Sequence, residues 1–205
     1  MKKLRVAFLK ADSGQMDDKF IDKFSGNLGY SHCEMVVNPG TMIGAHYNAK
    51  GVKKFHYNNV YHSDMWDIVE IDLDGKHAIK YMEDMLDTPY DALGVVLFFI
   101  GVRRGDKSDA VWCSEVCSYA CNIVFKENNI DQILPGTIMP NDLFDLLVNE
   151  YGGDVVNTVD SRKKVKEKLE LDRFGRIKKT VKDEDTNTSI FKVAFTDFWK
   201  RIRSK

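Results

Sequence analysis

The sequence predicts an α+β fold in which strands come first along the chain and helices follow. Two observations support this prediction: apolar and polar residues alternate in short segments up to residue 73, and apolar residues recur at helical spacing from residue 75 onward. Of the 205 residues, 43% are hydrophobic and 30% are charged, which is typical of a globular protein and excludes a wholly disordered chain. No apolar run approaches the roughly 18 residues that a membrane-spanning helix needs, so no transmembrane segment is predicted.

Five strands are predicted in the first part of the chain. Each segment is short and rich in β-branched or aromatic residues, and turn residues such as Asn38-Pro39-Gly40 separate the segments. The predicted strands are residues 4–9, 30–37, 41–47, 52–57 and 66–73. A helix is predicted between the first two strands, at residues 12–24, because four apolar side chains share one stripe there.

Helices are predicted after the strands. Residues 75–86 are amphipathic, and residues 91–100 are apolar on most sides and should form a buried helix after the helix-start signal Thr88-Pro89-Tyr90. Further helices are predicted at residues 111–128, 142–150 and 161–171.

The charge distribution divides the chain into two parts. Residues 161–205 hold 15 basic and 7 acidic side chains, whereas the other 160 residues hold 15 basic and 24 acidic ones. We therefore predict a domain over residues 1–152, ending near Gly152-Gly153, and a basic C-terminal appendage over residues 153–205. The appendage could bind an anionic partner such as a nucleic acid or a membrane surface, or could pack on the acidic domain. The chain carries no specific nucleic-acid-binding motif.

The cysteines favour reduced thiols over disulfides. Cys113, Cys117 and Cys121 are spaced by four residues and share one helix face, which is a poor arrangement for a single metal ion and more simply the buried stripe of a central helix. An even cysteine count indicates disulfides only in short secreted chains. The N-terminus begins like a signal peptide, but Lys10 and Asp12 interrupt its apolar stretch, so we expect no signal peptide and a cytoplasm-like compartment.

Cys113 is the candidate nucleophile. In Trp112-Cys113-Ser114-Glu115 it follows a polar loop and opens a predicted helix, where the helix dipole and free N–H groups favour a thiolate. The same N–H groups can stabilise an oxyanion formed by attack on a carbonyl. The alternative is that Cys113 is a buried apolar thiol, the commonest fate of an isolated cysteine.

His32 is the candidate base among five histidines. His32 lies at the start of a predicted strand, and the two-residue period of a strand places Glu34 on the same face. A carboxylate beside an imidazole can fix its tautomer and raise its basicity. The alternative is an ordinary surface strand face. His62 and His77 lie in polar surroundings and are interpreted as surface residues.

Three short segments resemble one protein superfamily. Ser31-His32-Cys33-Glu34-Met35-Val36-Val37, followed by Gly40 and Gly51-Val52, resembles the histidine hairpin of the NlpC-type papain-like cysteine peptidase/amidase superfamily. Thr88-Pro89-Tyr90-Asp91-Ala92-Leu93-Gly94 resembles its tyrosine-bearing helix start, and Trp112-Cys113-Ser114-Glu115 its nucleophile motif. Because His32 precedes Cys113 by 81 residues, the order is that of the circularly permuted branch, the YaeF/YiiX-like and lecithin-retinol-acyltransferase-like proteins. The resemblance spans residues 4–147.

The resemblance implies a circularly permuted papain-like fold, in which an antiparallel sheet packs on a helix bearing the nucleophilic cysteine. Cys113 would be the nucleophile and His32 the base, and Tyr90 would line the cleft. The polar third residue of the family falls on Gly44 here, so Glu34 or His46 would take its place. Tyr90, Ser114 and His46 are the expected substrate-binding residues.

The resemblance also implies thiol chemistry at amide, isopeptide or ester bonds, without a cofactor or a metal. The substrate would be a peptide, a peptidoglycan-type peptide or a lipid ester. Two alternatives remain: an acyltransferase or lipid-acting thiol enzyme on the same fold, and a non-catalytic binding or structural protein that retains it. The expected location is the cytoplasm of a bacterial host or a virus particle. Bacteriophage genomes encode relatives of this group.

Overall fold

The computed structural model describes residues 2–11, 29–57, 59–99 and 109–156. These residues form a mixed α+β structure built around one antiparallel sheet, which confirms the predicted α+β class. The sheet contains six strands: β1 (Lys3–Lys10), β2 (Tyr30–Asn38), β3 (Thr41–His46), β4 (Gly51–His56), β5 (Trp66–Asp74) and β6 (Asp154–Val155). The five strands predicted from alternation each lie within one or two residues of their predicted bounds.

The strands are arranged in the order β4-β3-β2-β1-β5-β6, and every neighbouring pair is antiparallel. Strand β1 therefore lies between β2 and β5, so the first strand of the chain is in the interior of the sheet. Its apolar residues are almost completely buried, as Phe8 and Val6 illustrate. This arrangement places β2 and β3, which carry the candidate histidines, side by side.

Within the described ranges, four α-helices accompany the sheet: α1 (Lys76–Asp84), α2 (Ala92–Phe99), α3 (Cys113–Glu127) and α4 (Pro140–Asp145). Helix α4 continues into a π-helical turn at Leu146–Glu150. Helix α3 packs on β2 and β3, and α1 packs on α3. Among the described residues, no helix combines the length and the apolar character needed to cross a membrane.

The two faces of the sheet bury different apolar clusters. The face that carries Cys33, Met35 and Ile43 packs against α1, α3 and α4 and forms the main core. The other face carries a smaller cluster, which includes Val36 and Met42. Since side chains alternate along a strand, His32 and Glu34 of β2 project on the Val36 side, and Cys33 projects toward α3.

The sheet extends past the predicted domain end. Residues of β6 pair with Val69 and Glu70 of β5, so the strand lies beyond the boundary predicted at residue 152. A Cβ atom on Gly153 would lie 2.6 Å from Val69 Cγ1 and 2.7 Å from the Leu147 carbonyl oxygen, so Gly153 permits close packing within the domain. The predicted helices at residues 12–24 and 161–171, and the appendage from residue 157 onward, lie outside the described residues.

Candidate active site

The start of α3 is held by three hydrogen bonds around Cys113. The Glu115 carboxylate accepts from the Trp112 backbone N–H at 3.3 Å, which caps the first turn of the helix. The Trp112 indole Nε1 and the Ser114 hydroxyl both donate to the Ile138 carbonyl oxygen, at 3.3 Å and 2.7 Å. Because its two neighbours are both anchored to Ile138, Cys113 is held in place relative to that segment.

The structure gives Ser114 an anchoring role in place of the expected contact with substrate. The side chain is fully buried, and its hydroxyl donates to Ile138. The Ser114 carbonyl oxygen also accepts a hydrogen bond from the Ser118 hydroxyl at 2.7 Å. Ser114 therefore stabilises the beginning of α3 and presents no free hydroxyl to a bound ligand.

The pairing of β2 with β3 brings the two candidate histidines together. Met35 pairs with Ile43 and Val36 with Met42, and continuing this antiparallel register places Glu34 opposite Gly44 and His32 opposite His46. The two imidazole rings are in contact, with their centroids 4.2 Å apart. Three polar side chains of adjacent strands thus meet on one face of the sheet.

Gly44 is the position that makes room for Glu34. A Cβ atom at residue 44 would lie only 2.6 Å from Glu34 Cγ, closer than real Cβ contacts come. The Glu34 side chain therefore extends over β3 and occupies the space that a side chain at residue 44 would fill. Glu34 therefore supplies a polar group at a position on β3 where Gly44 itself has no side chain.

The three side chains converge on a single carboxylate oxygen. His46 Nε2 lies 2.8 Å from Glu34 Oε1, and His32 Nε2 lies 3.5 Å from the same oxygen. The two Nε2 atoms are 3.0 Å apart. The Tyr57 hydroxyl donates to Glu34 Oε1 at 3.1 Å. The other carboxylate oxygen, Oε2, is buried and has no hydrogen-bond partner among the described residues.

Glu34 is ionised despite complete burial. Burial raises the pKa of its carboxyl group, but hydrogen bonds and charge from His32 and His46 outweigh that effect and lower the pKa to about 2. The Tyr57 hydroxyl shows the opposite response, since burial and the nearby Glu34 charge both raise its pKa. A negative charge is therefore fixed beneath the two imidazoles.

Cys113 and His32 stabilise each other in their charged forms. A hydrogen bond from Cys33 is the largest cause that lowers the pKa of Cys113 well below its usual value; burial opposes it, and the charge and hydrogen bond of His32 add to it. Burial lowers the pKa of His32, but the Cys113 thiolate and Glu34 outweigh it and raise the pKa to about 10. The charge on each of these two side chains therefore favours the charged form of the other.

Two further side chains surround the thiol. Cys33, the neighbour of His32 on β2, is buried, and burial together with hydrogen bonds to Cys113 and Cys117 raises its pKa. Burial and the charge of Cys113 raise the pKa of Tyr90, so Tyr90 stays neutral beside the thiolate. The Tyr90 ring contacts Tyr47 edge-on, with centroids 5.8 Å apart.

The structure thus brings together most of the residues singled out from the sequence. His32, Glu34 and His46 form one cluster. Cys113 interacts electrostatically with His32 of that cluster and with Tyr90. Sequence reasoning missed Tyr57 and the hydrogen bond from Cys33. The alternation of β2 indicates that Cys33 faces the core, but no sequence signal places it against Cys113.

The same cluster is able to hold a metal ion. One ligand atom from each of His32, Glu34 and His46 lies within 4.8 Å of the other two. From the sequence, the cysteines were the only candidate metal ligands, and no metal site was predicted. Comparisons of the chain with protein-family models, with curated proteins and with solved structures find no match.

Proposed function

We propose that the protein is a cysteine hydrolase that cleaves an amide, isopeptide or ester bond, with Cys113 as the nucleophile and His32 as the base. The observation that carries the proposal is that Cys113, at the start of α3, and His32, on β2, each shift the other's pKa toward the charged form, so that a thiolate and an imidazolium are favoured together. A thiolate is the nucleophilic form of cysteine, and an imidazolium beside it can protonate a leaving group.

The reaction would proceed in two steps. In the first, Cys113 Sγ attacks the substrate carbonyl carbon, and His32 donates its proton to the departing amine or alcohol, which leaves a thioester on Cys113. In the second, His32 removes a proton from water, the hydroxide attacks the thioester, and the carboxylic acid departs, which restores the Cys113 thiolate and the His32 imidazolium. The N–H groups at the start of α3 are the candidate oxyanion donors in both steps.

Glu34 would act as a positioning residue. Its carboxylate carries a fixed charge 3.5 Å from His32 Nε2 and 2.8 Å from His46 Nε2. That charge stabilises the imidazolium form of His32 before substrate binds. His46 contacts both Glu34 and His32, so it would restrict the orientation of the two side chains that it touches.

The order of elements agrees with a permuted papain-like fold. The histidine strand precedes the cysteine helix along the chain, and the helix packs on the strands that carry the histidine hairpin. Together with the resemblance of the three segments, this arrangement supports thiol chemistry, for which the resemblance implies a peptide-type, peptidoglycan-type or lipid-ester substrate. A small acyl donor is the appropriate first probe because Cys113 is only 6% exposed.

The proposal is tested with p-nitrophenyl acetate in the presence of a metal chelator. We expect a burst of nitrophenolate close to one equivalent per chain, an acetyl group that mass spectrometry locates on Cys113, and slower steady turnover. The burst should disappear in Cys113→Ala and persist in the matched control Cys121→Ala, which changes a buried thiol of the same helix. Acetylation of another cysteine, or an unchanged burst in Cys113→Ala, would overturn the proposal. Faster acetyl transfer to an added amine than to water would indicate the acyltransferase alternative.

A further inference from the structure

We infer that His32, Glu34 and His46 form a binding site for a divalent transition-metal cation, with zinc the ion that best suits the donor set. The three ligand atoms lie within 4.8 Å of one another, on adjacent strands of the sheet. This inference goes beyond the proposed hydrolase activity and does not depend on it, because it rests on the positions of three side chains alone.

The distances between the ligand atoms fit one small ion. Ligands that bind zinc tetrahedrally at about 2.0–2.2 Å are separated from one another by about 3.3–3.6 Å. Of the three separations here, 3.5 Å lies in that range, and 2.8 Å and 3.0 Å are somewhat shorter. A cation above the plane of the three atoms can therefore reach all of them with small shifts of the side chains.

Hydrogen bonds alone cannot satisfy all three contacts. Each imidazole Nε2 carries at most one hydrogen, and a protonated Nε2 no longer accepts one. If His46 donates to Glu34 Oε1, it cannot accept a hydrogen bond from His32 at 3.0 Å. A cation instead accepts one lone pair from each of the three atoms at the same time.

The surroundings resemble those of a three-ligand site that leaves a position open. The Tyr57 hydroxyl donates to Glu34 Oε1 and would orient the carboxylate, as outer hydrogen bonds do around metal ligands. Glu34 is fully buried, whereas the side chains of His32 and His46 are 14% and 27% exposed. An ion can therefore enter from the side of the histidines and stay on a buried carboxylate.

The donor set selects the type of ion. Two imidazole nitrogens favour zinc and its neighbours in the first transition series, whereas magnesium and calcium prefer oxygen ligands. Two histidines and one glutamate with a free fourth position are a common zinc ligand set. We therefore expect magnesium and calcium not to compete.

The test is a titration of the full-length, metal-free chain with zinc chloride against a chromogenic chelator. We expect one zinc ion per chain, unaffected by excess magnesium. Affinity should fall by more than about 100-fold in His46→Ala and in Glu34→Gln, since even an outer hydrogen-bond partner contributes roughly 10–100-fold. His77→Ala is the matched control, because His77 contacts Glu127 at the surface and lies outside the cluster. With cobalt chloride in place of zinc, we expect the visible absorption bands typical of a cobalt ion with a low coordination number. His46→Ala should abolish these bands.

Two results would overturn the inference. One is that the chain binds no zinc at stoichiometric concentrations, and the other is that His46→Ala keeps the affinity of the starting protein, which would assign the ion to other ligands such as the cysteines. If Glu34→Gln fails to fold, the partly exposed His46 still decides the matter. If the chain binds zinc stoichiometrically but Cys113 is not acetylated in metal-free protein, this inference stands and the hydrolase proposal fails. If Cys113 is acetylated but the chain binds no zinc, the hydrolase proposal stands and this inference fails.

Discussion

Cys113 and Cys121 lie two turns apart on the same face of α3, and both are buried free thiols. Burial and the charge of Cys117 raise the pKa of Cys121 well above its usual value. The pKa of Cys113 is shifted strongly in the other direction, although burial acts on it as well. The comparison teaches that position on the helix face does not determine the state of a thiol here. The neighbours at the start of the helix do.

The largest expected effect comes from removing the charged neighbour. His32→Ala should make Cys113 behave more like Cys121, because only the hydrogen bonds from Cys33 then oppose the effect of burial on its pKa. A thiol with a pKa near 8.5 is under about 1% ionised at pH 6, so alkylation of Cys113 by iodoacetamide at pH 6 should slow by about 100-fold. The rate is measured by mass spectrometry with a chelator present.

His77→Ala serves as the control for this variant, because His77 forms an exposed contact with Glu127 at 2.7 Å. Its alkylation rate should match that of the unchanged protein. If His32→Ala also reacts at the original rate, the reactivity of Cys113 comes from the helix start and Cys33 alone. The comparison with Cys121 would then need another explanation.

A smaller effect distinguishes the two candidates for the third residue. Glu34→Gln removes the charge that holds His32 as an imidazolium, and should slow alkylation of Cys113 by about tenfold, in line with a hydrogen bond to a charged group. His46→Ala should slow it less, because the Glu34 carboxylate remains 3.5 Å from His32. If Glu34→Gln leaves the alkylation rate of Cys113 unchanged while His46→Ala abolishes alkylation, His46 is the third catalytic residue in place of Glu34.

The smallest effect concerns the space above Gly44. Gly44→Ala puts a methyl group where Glu34 Cγ lies, and should lower the free energy of unfolding by about 1–3 kcal/mol through overpacking. Urea denaturation measures that change. In a Glu34→Ala background the same substitution should cost less, since residues in contact act non-additively. Equal costs in both backgrounds would show that Glu34 is not the side chain that requires glycine.

The strands and helices were predictable because their signals are local. Alternation over six to nine residues located β1 to β5, and helical spacing located α1 to α3. The prediction placed α4 two residues late, since Pro140 occupies its first turn, where proline is tolerated. Strand β6 was missed because two residues carry no periodic pattern, and the preceding Gly152-Gly153 favoured a domain end.

Only those features of the site that lie within a single segment of the sequence were predictable. The position of Cys113 at a helix start and the two-residue spacing of His32 and Glu34 identified three of its members. The contact of His32 with His46 and the space over Gly44 depend on the register between β2 and β3, which the separate strands do not specify. For the same reason Ser114 was assigned to substrate, since its acceptor, the Ile138 carbonyl oxygen, lies 24 residues away.

The central claim is that Cys113 is set apart from the other three thiols by its neighbours. The most direct measurement is the alkylation rate of each cysteine in the folded, metal-free protein at pH 6, resolved by mass spectrometry of its peptides. We predict that Cys113 reacts first, faster than Cys33 and Cys121 by about 100-fold or more, because its thiolate is populated where theirs are not. Earlier labelling of Cys33, Cys117 or Cys121, or equal rates at all four, would contradict the claim.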